Sequence, residues 1–200
     1  MQTIFIGIVG GSGSGKSTLG YALKNKYPDK IELIHLDDYF KPSADRPKVG
    51  DLINSDHPES LFFDKLAEDL IKLSNRETIV LNTKNEYLNP EYEKTKIKIP
   101  VKFYPKPIIL IDGFLLLHDE KTRKMLTTSF FLEAEHKMRW ARRVHLSNKN
   151  KEYEEQVIIP MHNQFIEPTK KYADCIIDVS DLSQEEVFEK VDKIINKFIK

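Results

Sequence analysis

Apolar residues follow this chain in two rhythms. Continuous runs at Thr3–Val9, Ile31–Leu36, Pro107–Gly113, Ser129–Glu133 and Ala173–Val179 have the pattern of strands buried on both faces. Between them the apolar positions recur every three or four residues. Leu19, Ala22 and Leu23 fall on one face of a helix that Pro28 stops. Pro58 opens a second helix, reaching about Leu73 with Leu61, Leu66, Leu70 and Leu73 as its stripe. Further helices are expected at Asp119–Leu126 and Glu135–Leu146, then, after a charged loop at 147–152, up to about Ile166, and finally at Ser183–Phe198. Pro42, Pro47 and Gly50 mark residues 41–57 as a loop. Glu77–Leu81 and Ile97–Phe103 read as short strands around a polar segment, a hairpin-like excursion. Buried strands alternating with helices predict an α/β fold with a mostly parallel five-stranded sheet wrapped on both faces. All 200 residues are expected to form one domain.

The first strand runs into Gly10-Gly11-Ser12-Gly13-Ser14-Gly15-Lys16-Ser17-Thr18, which has the G-x-x-x-x-G-K-S spacing of a phosphate-binding P-loop. Glycines let the backbone turn tightly and aim several N–H groups at one anion. Lys16 brings a mobile cation to the terminal phosphates, and the Ser17 hydroxyl can ligate Mg²⁺. The helix that starts here adds its partial positive charge. Strand, glycine loop and helix in this order separate the motif from a Gly/Ser linker and imply a P-loop NTPase fold that binds ATP with Mg²⁺.

Three further clusters should meet the loop at the carboxyl ends of the strands, where open α/β sheets bind ligands. Asp112 tips its strand, where a carboxylate holds Mg²⁺ or simply caps a turn. Asp37-Asp38 tips the second strand. Phosphoryl transfer to a hydroxyl needs a carboxylate to orient the nucleophile and take its proton, and Asp37 is the candidate base; a turn or a second metal contact is the other reading. Arg139, Arg142 and Arg143 sit at i, i+3 and i+4 on one helix face. They are either a clamp on transferring phosphate, in a lid at about 139–160, or a solvated basic surface. His35, inside an apolar strand, reads as a core or strand-end histidine.

Lys plus Arg and Asp plus Glu each number 31, so no global field recruits nucleic acid or a membrane surface. The single cysteine, Cys175, excludes an internal disulfide. No run approaches the ~18 apolar residues of a membrane span, and the chain opens on a strand rather than on a signal peptide. A cytoplasmic location is expected.

In order along the chain stand the P-loop, His35-Leu36-Asp37-Asp38-Tyr39-Phe40-Lys41-Pro42, Asp56-His57-Pro58, Asp112-Gly113-Phe114-Leu115-Leu116, Arg139-Trp140-Ala141-Arg142-Arg143-Val144 and Phe165-Ile166-Glu167-Pro168-Thr169-Lys170-Lys171-Tyr172-Ala173-Asp174. This series resembles the uridine kinase/phosphoribulokinase family over about residues 3–180. The resemblance implies transfer of the ATP γ-phosphate to a small-molecule hydroxyl. It implies Asp37 as the base acting on a ribose 5′-hydroxyl, with Tyr39 on the substrate side. It also implies Asp56 as the carboxylate that grips the ribose 2′- and 3′-hydroxyls, within a substrate-side insertion at about 41–104. The arginines would serve as lid residues, with Arg143 on the phosphates, and Thr169–Tyr172 would lie beside the adenine. It leaves a homo-oligomer open.

The sequence departs from uridine kinases in two places. Their Tyr-Asp-x-x-x-His stretch, which contacts the base, is replaced by Val80-Leu81-Asn82-Thr83-Lys84-Asn85-Glu86-Tyr87. The lid is short, and Ile158-Ile159-Pro160-Met161-His162 is similar to nicotinamide riboside kinases. A ribonucleoside acceptor is therefore expected, uridine or cytidine first, with nicotinamide riboside or another small alcohol as the alternative. The competing class, a P-loop module without transfer chemistry, lacks a use for Asp37, Asp56 and the arginines together.

Overall fold

The computed structural model describes residues 3–142 and 151–199. In chain order the elements are β1 (Ile4–Val9), α1 (Lys16–Lys26), β2 (Ile31–His35), β3 (Lys48–Val49), β4 (Leu52–Ile53), α2 (Phe63–Ser74) and β5 (Ile79–Thr83). There follow α3 (Tyr92–Thr95), β6 (Ile99–Phe103), β7 (Ile108–Asp112), α4 (Glu120–Met125), β8 (Thr128–Glu133) and α5 (His136–Arg142). Beyond them come α6 (Lys151–Tyr153), α7 (Ile159–Met161), β9 (Cys175–Asp178) and α8 (Gln184–Ile195).

Five strands form one parallel sheet in the order β2-β7-β1-β8-β9. Alternate residues of each strand feed two apolar layers, as the two-residue period of a strand requires. Phe5 and Val9 of β1, with Ile109 and Ile111 of β7, face α2 through Leu66, Leu70 and Leu73. Ile6 and Ile8, with Leu110 and Phe130, face α1 and α8 through Leu23, Val187, Val191 and Ile195. α8 starts with a reciprocal capping box between Ser183 and Glu186. No helix among the described residues is long and apolar enough to cross a membrane.

Three local differences from the pattern have physical causes. Pro58–Ser60 forms only a 3₁₀ turn, and α2 begins at Phe63. Leu61 bridges Phe40 in antiparallel fashion and the Phe62 amide donates to the Tyr39 carbonyl at 2.9 Å, so the intervening backbone stays extended. The expected loop at 41–57 contains the two-stranded ribbon β3–β4, turning at Gly50 with φ +57°. The helical run at 151–172 alternates α6 and α7 with π-helical stretches at Glu154–Ile158 and His162–Ile166 and closes in a 3₁₀ turn at Glu167–Tyr172. Pro160, which offers no N–H, lies between the π stretches. The excursion pairs β5 with β6 as an antiparallel hairpin, as expected.

Candidate active site

Buried β1 ends at Val9, and the chain then makes the P-loop with positive φ at Gly10 (+141°), Gly13 (+84°) and Gly15 (+93°). Lys16 folds back so that its Nζ donates to the Gly11 carbonyl at 3.1 Å. The Ser14 Oγ is buried without a hydrogen-bond partner. The carboxyl-terminal ends of β1, β2 and β7 are in register here, with Ile8 opposite Asp112 and His35 opposite Asp112 on the other side.

Asp112 is 4 % exposed. Its Oδ1 lies 2.7 Å from His35 Nδ1. Burial alone would raise the Asp112 carboxyl; the His35 imidazole, then the Ser17 hydroxyl and the Lys16 ammonium, outweigh it and hold the group below its usual range. Burial likewise works against a charged His35, but Asp112, Asp38 and Asp37 together raise its pKa. Asp112 Oδ2 is buried and makes no hydrogen bond of ordinary geometry. An ionised carboxylate with an unoccupied oxygen beside a serine hydroxyl and a nest of loop amides fits a hydrated divalent cation carried by a nucleotide.

His35 was not legible as a site residue, yet it is the centre of a chain. Its Nε2 lies 2.8 Å from the Tyr21 hydroxyl on α1, and that hydroxyl donates to Asn85 Oδ1 at 2.5 Å. Tyr21 also packs against Tyr87, with ring centroids 4.1 Å apart and planes tilted by 32°. The chain thus ties Asp112 to the β5–β6 hairpin.

Past β2, a 3₁₀ turn separates the two acidic neighbours. Asp38 packs inward, where its Oδ1 accepts from the Lys84 amide at 3.4 Å; burial pushes its carboxyl above the usual range, against the opposing pull of the Thr83 hydroxyl and His35. Asp37 has a half-exposed side chain, with Lys84 Nζ 3.6 Å from its Oδ2. Tyr39 does not reach this surface. It is 1 % exposed in the core, and its hydroxyl donates to Asp69 on α2 at 3.2 Å. The neighbouring Phe40 packs against the core, partly buried, with the Arg46 guanidinium 4.6 Å and the Lys84 ammonium 4.9 Å from its ring centre.

Asp56 sits on a turn built by its neighbours: its amide donates to Asn54 Oδ1 at 3.1 Å. The Tyr153 hydroxyl donates to Asp56 Oδ2 at 2.9 Å and accepts from the Ser55 amide at 3.1 Å. Burial and then the Asp56 charge push the Tyr153 hydroxyl up to about 12. The tyrosine therefore stays a donor.

The arginines do not converge in this structure. Arg139 is 3 % exposed and lies under the P-loop, with Nε donating to the Ala134 carbonyl at 3.0 Å and Nη1 to the Ser12 carbonyl at 3.4 Å. A Cβ at Gly11 would overlap its guanidinium. Arg142 turns the other way and donates to the Val179 carbonyl at 2.8 Å. Arg143 lies outside the described residues. Arg142, Val179, Leu182 and Phe188 wall a cleft of about 620 Å³ that opens on Ser14, Gly15 and Thr18. Thr169–Tyr172 lie elsewhere, with Thr169 buried, Lys170 bonded to Glu133 and Glu167, and Tyr172 under the Arg123 guanidinium at 4.0 Å. The wall of this cleft beside the loop is the β9–α8 junction.

A parallel sheet of this order, carrying a P-loop between β1 and α1 and an acidic residue at the tip of β7, defines a nucleotide-binding protein of the P-loop type. The chain belongs to the phosphoribulokinase/uridine kinase family, whose model matches residues 5–185. It is 35 % identical over 191 residues to a uridine kinase of Clostridium novyi (strain NT), covering 88 % of each chain. The fold is shared with a solved structure described as a possible uridine kinase from Bacillus stearothermophilus, at TM-score 0.64 and 17 % identity, covering 89 % of this chain and 90 % of that one. Shikimate kinase from Acinetobacter baumannii, solved with shikimate, aligns at TM-score 0.51 and 14 % identity over 98 % of this chain and 94 % of its own.

Proposed function

We propose that this kinase uses ATP and Mg²⁺ to phosphorylate the 5′-hydroxyl of a ribonucleoside, with uridine and cytidine the first acceptors to try. One observation carries the reading: Asp37, an accessible carboxylate, stands two residues beyond the histidine that touches Asp112. A base for the acceptor and an acid for the metal thus sit at the same sheet end as the loop that takes the phosphates.

The loop amides and Lys16 bind the β- and γ-phosphates, and the cleft beside Val179, Leu182 and Arg142 receives the purine, whose face suits a guanidinium. Ser17 and Asp112 would hold Mg²⁺, which when bound offsets charge on the transferring phosphate. Asp37 orients the acceptor hydroxyl and accepts its proton as the oxygen attacks phosphorus. Asp56 offers a carboxylate whose two oxygens can accept from adjacent ribose hydroxyls. Arg139, pinned beneath Gly11 and Ser12, stiffens the loop and leaves direct phosphate contact to other cations.

The deciding experiment is ADP release with ATP·Mg²⁺ against uridine, cytidine, nicotinamide riboside, adenosine, pantothenate and ribulose 5-phosphate. Turnover on a riboside is the expected result. Silence on every riboside, with turnover on another alcohol or none, would overturn it.

A further inference from the structure

One short turn at the root of the β5–β6 hairpin reaches both carboxylates of the site. Asn85 Oδ1 accepts from the Tyr21 hydroxyl at 2.5 Å, Tyr21 meets His35 Nε2 at 2.8 Å, and His35 Nδ1 lies 2.7 Å from Asp112 Oδ1. Lys84, the residue before Asn85, places its Nζ 3.6 Å from Asp37 Oδ2 and its amide 3.4 Å from Asp38 Oδ1. Thr83 Oγ1 accepts from the Asn85 amide at 3.0 Å and closes the turn. The acid assigned to the metal and the acid assigned to the acceptor thus share one support, residues 83–85.

Donation along this chain runs one way. The Tyr87 amide can only donate, and it meets Asn85 Oδ1 at 3.0 Å, which fixes that atom as the carbonyl oxygen. Tyr21 has one proton to give and gives it to Asn85, so its oxygen accepts from His35 Nε2. His35 is 4 % exposed and has no water to turn to in place of that partner. Tyr21 also stands one helical turn beyond Ser17 on α1, so one face of the helix carries both the metal-side hydroxyl and the tyrosine. A staple that only holds the fold together has no need of this arrangement. Ile79, Leu81 and Phe103 already seat the hairpin in the core, and the β2–β7 ladder already sets His35 opposite Asp112. The ladder fixes the backbone spacing of that pair; the Tyr21 contact fixes the rotation of the imidazole that Asp112 meets. Partners one step behind a metal-side carboxylate orient it in this manner.

We propose that Tyr21 and Asn85 are positioning residues of the transfer: through His35 they set the rotation of the Asp112 carboxylate, and through the Lys84 turn they tie that setting to Asp37. The inference rests on the kinase reading above and deepens it. A residue of the acceptor-side hairpin, outside the P-loop, then governs how tightly the metal–nucleotide pair is held.

Calorimetry with ADP, once with Mg²⁺ and once in EDTA, tests this on the full-length protein without any acceptor. Tyr21→Phe and Asn85→Leu should each weaken Mg²⁺·ADP binding about fivefold, the equivalent of one hydrogen bond, and leave metal-free ADP binding unchanged. Asn85→Asp, which keeps an oxygen for Tyr21 and for the Tyr87 amide, should restore most of the affinity. Tyr87→Leu removes the ring packed on Tyr21 but no member of the chain, and should bind Mg²⁺·ADP as the wild type does. Wild-type Mg²⁺·ADP affinity in both Tyr21→Phe and Asn85→Leu overturns the inference. So does an equal loss with and without the metal, or an equal loss in Tyr87→Leu, since a merely loosened fold gives either. With uridine as acceptor, Asn85→Leu should lower kcat more than Tyr21→Phe, because it loosens the support of Asp37 as well; equal kcat in the two removes the tie to Asp37. Silence on every riboside overturns the acceptor reading separately, and the calorimetry still decides the role of Tyr21 and Asn85.

Discussion

His35 Nδ1 lies 2.7 Å from Asp112 Oδ1, and both side chains are buried. The contact joins adjacent strands at a point where the parallel register sets the two residues opposite one another. It occupies one carboxylate oxygen and leaves the other directed to the P-loop side. Because His35 also meets Tyr21, which meets Asn85, the orientation of Asp112 is fixed from the hairpin as well as from the sheet.

His35→Ala should therefore be costly in two ways. It leaves a buried carboxylate without its partner, which typically costs about 3 kcal/mol. It also frees the Asp112 side chain to rotate. The expected outcome is a lower Tm and a weaker Mg²⁺ or Mn²⁺ affinity in the presence of ADP, read by calorimetry. His35→Asn, which can still donate to the carboxylate, should recover part of the metal affinity. Metal affinity equal to wild type in His35→Ala would show that Asp112 needs no such support.

Asp37→Asn tests the base. The amide cannot take a proton, so turnover should fall by about 10²–10⁴. ATP affinity should hold, since Asp37 stands on the acceptor side and its side chain is half exposed. Unchanged turnover would remove Asp37 from the chemistry.

Much of this layout was legible in the sequence, for definite reasons. β1, β2, β7 and β8 are continuous apolar runs because both faces of the sheet are covered, and the P-loop is local in sequence. The features that are not legible there depend on distant partners. His35 reads as a core residue until β2 pairs with β7 and brings Asp112, 77 positions away, against it. Tyr39 reads as a site residue because it neighbours Asp37, but the 3₁₀ turn rotates it onto Asp69. Arg139 and Arg142 share a helix face by spacing, and opposing carbonyl groups at Ser12 and Val179 draw them apart. The start of α2 at Phe63 reflects the Phe40–Leu61 bridge, a pairing no local propensity reports.

Asp56 and Tyr153 give a paired prediction. Asp56→Ala should raise the KM of the acceptor far more than that of ATP. Tyr153→Phe removes the hydroxyl that bonds both Asp56 and the Ser55 amide, a loss of about 1 kcal/mol. It should raise the acceptor KM about fivefold and leave the ATP KM unmoved. Steady-state kinetics with each substrate varied in turn checks both, and equal effects on the two KM values would exclude a ribose grip at Asp56.

His162 predicts an acid limit to stability. Burial, reinforced by the Arg139 charge, lowers its pKa to about 4 in the folded chain. The unfolded chain binds the proton near pH 6.5, so it gains protons before the folded one does. Stability is then fully present above about pH 6.5 and declines as pH falls toward 4. With solvent screening allowed for, the loss is about 2 kcal/mol. Tm measured from pH 7.5 to 4.5 should fall less steeply in His162→Gln than in the wild type. Parallel curves would assign the acid loss to other groups.

Two loop glycines separate backbone strain from steric conflict. At Gly15, with φ +93°, an added Cβ meets nothing within 4 Å, so Gly15→Ala should cost only the left-handed backbone penalty of about 1 kcal/mol. Gly11 has no such φ, yet its Cβ would occupy the space of the Arg139 guanidinium. That guanidinium is buried and bonded to Ala134 and Ser12, so it cannot swing aside without losing both contacts. Gly11→Ala should therefore cost about 2–3 kcal/mol and weaken ATP binding as well. Adding Arg139→Ala should then recover ATP affinity relative to Gly11→Ala alone, because the obstructing group is gone. Denaturant melts and nucleotide titrations of the single and double variants measure that coupling. Strictly additive losses would mean that Gly11 is required for the path of the loop rather than for the arginine beneath it.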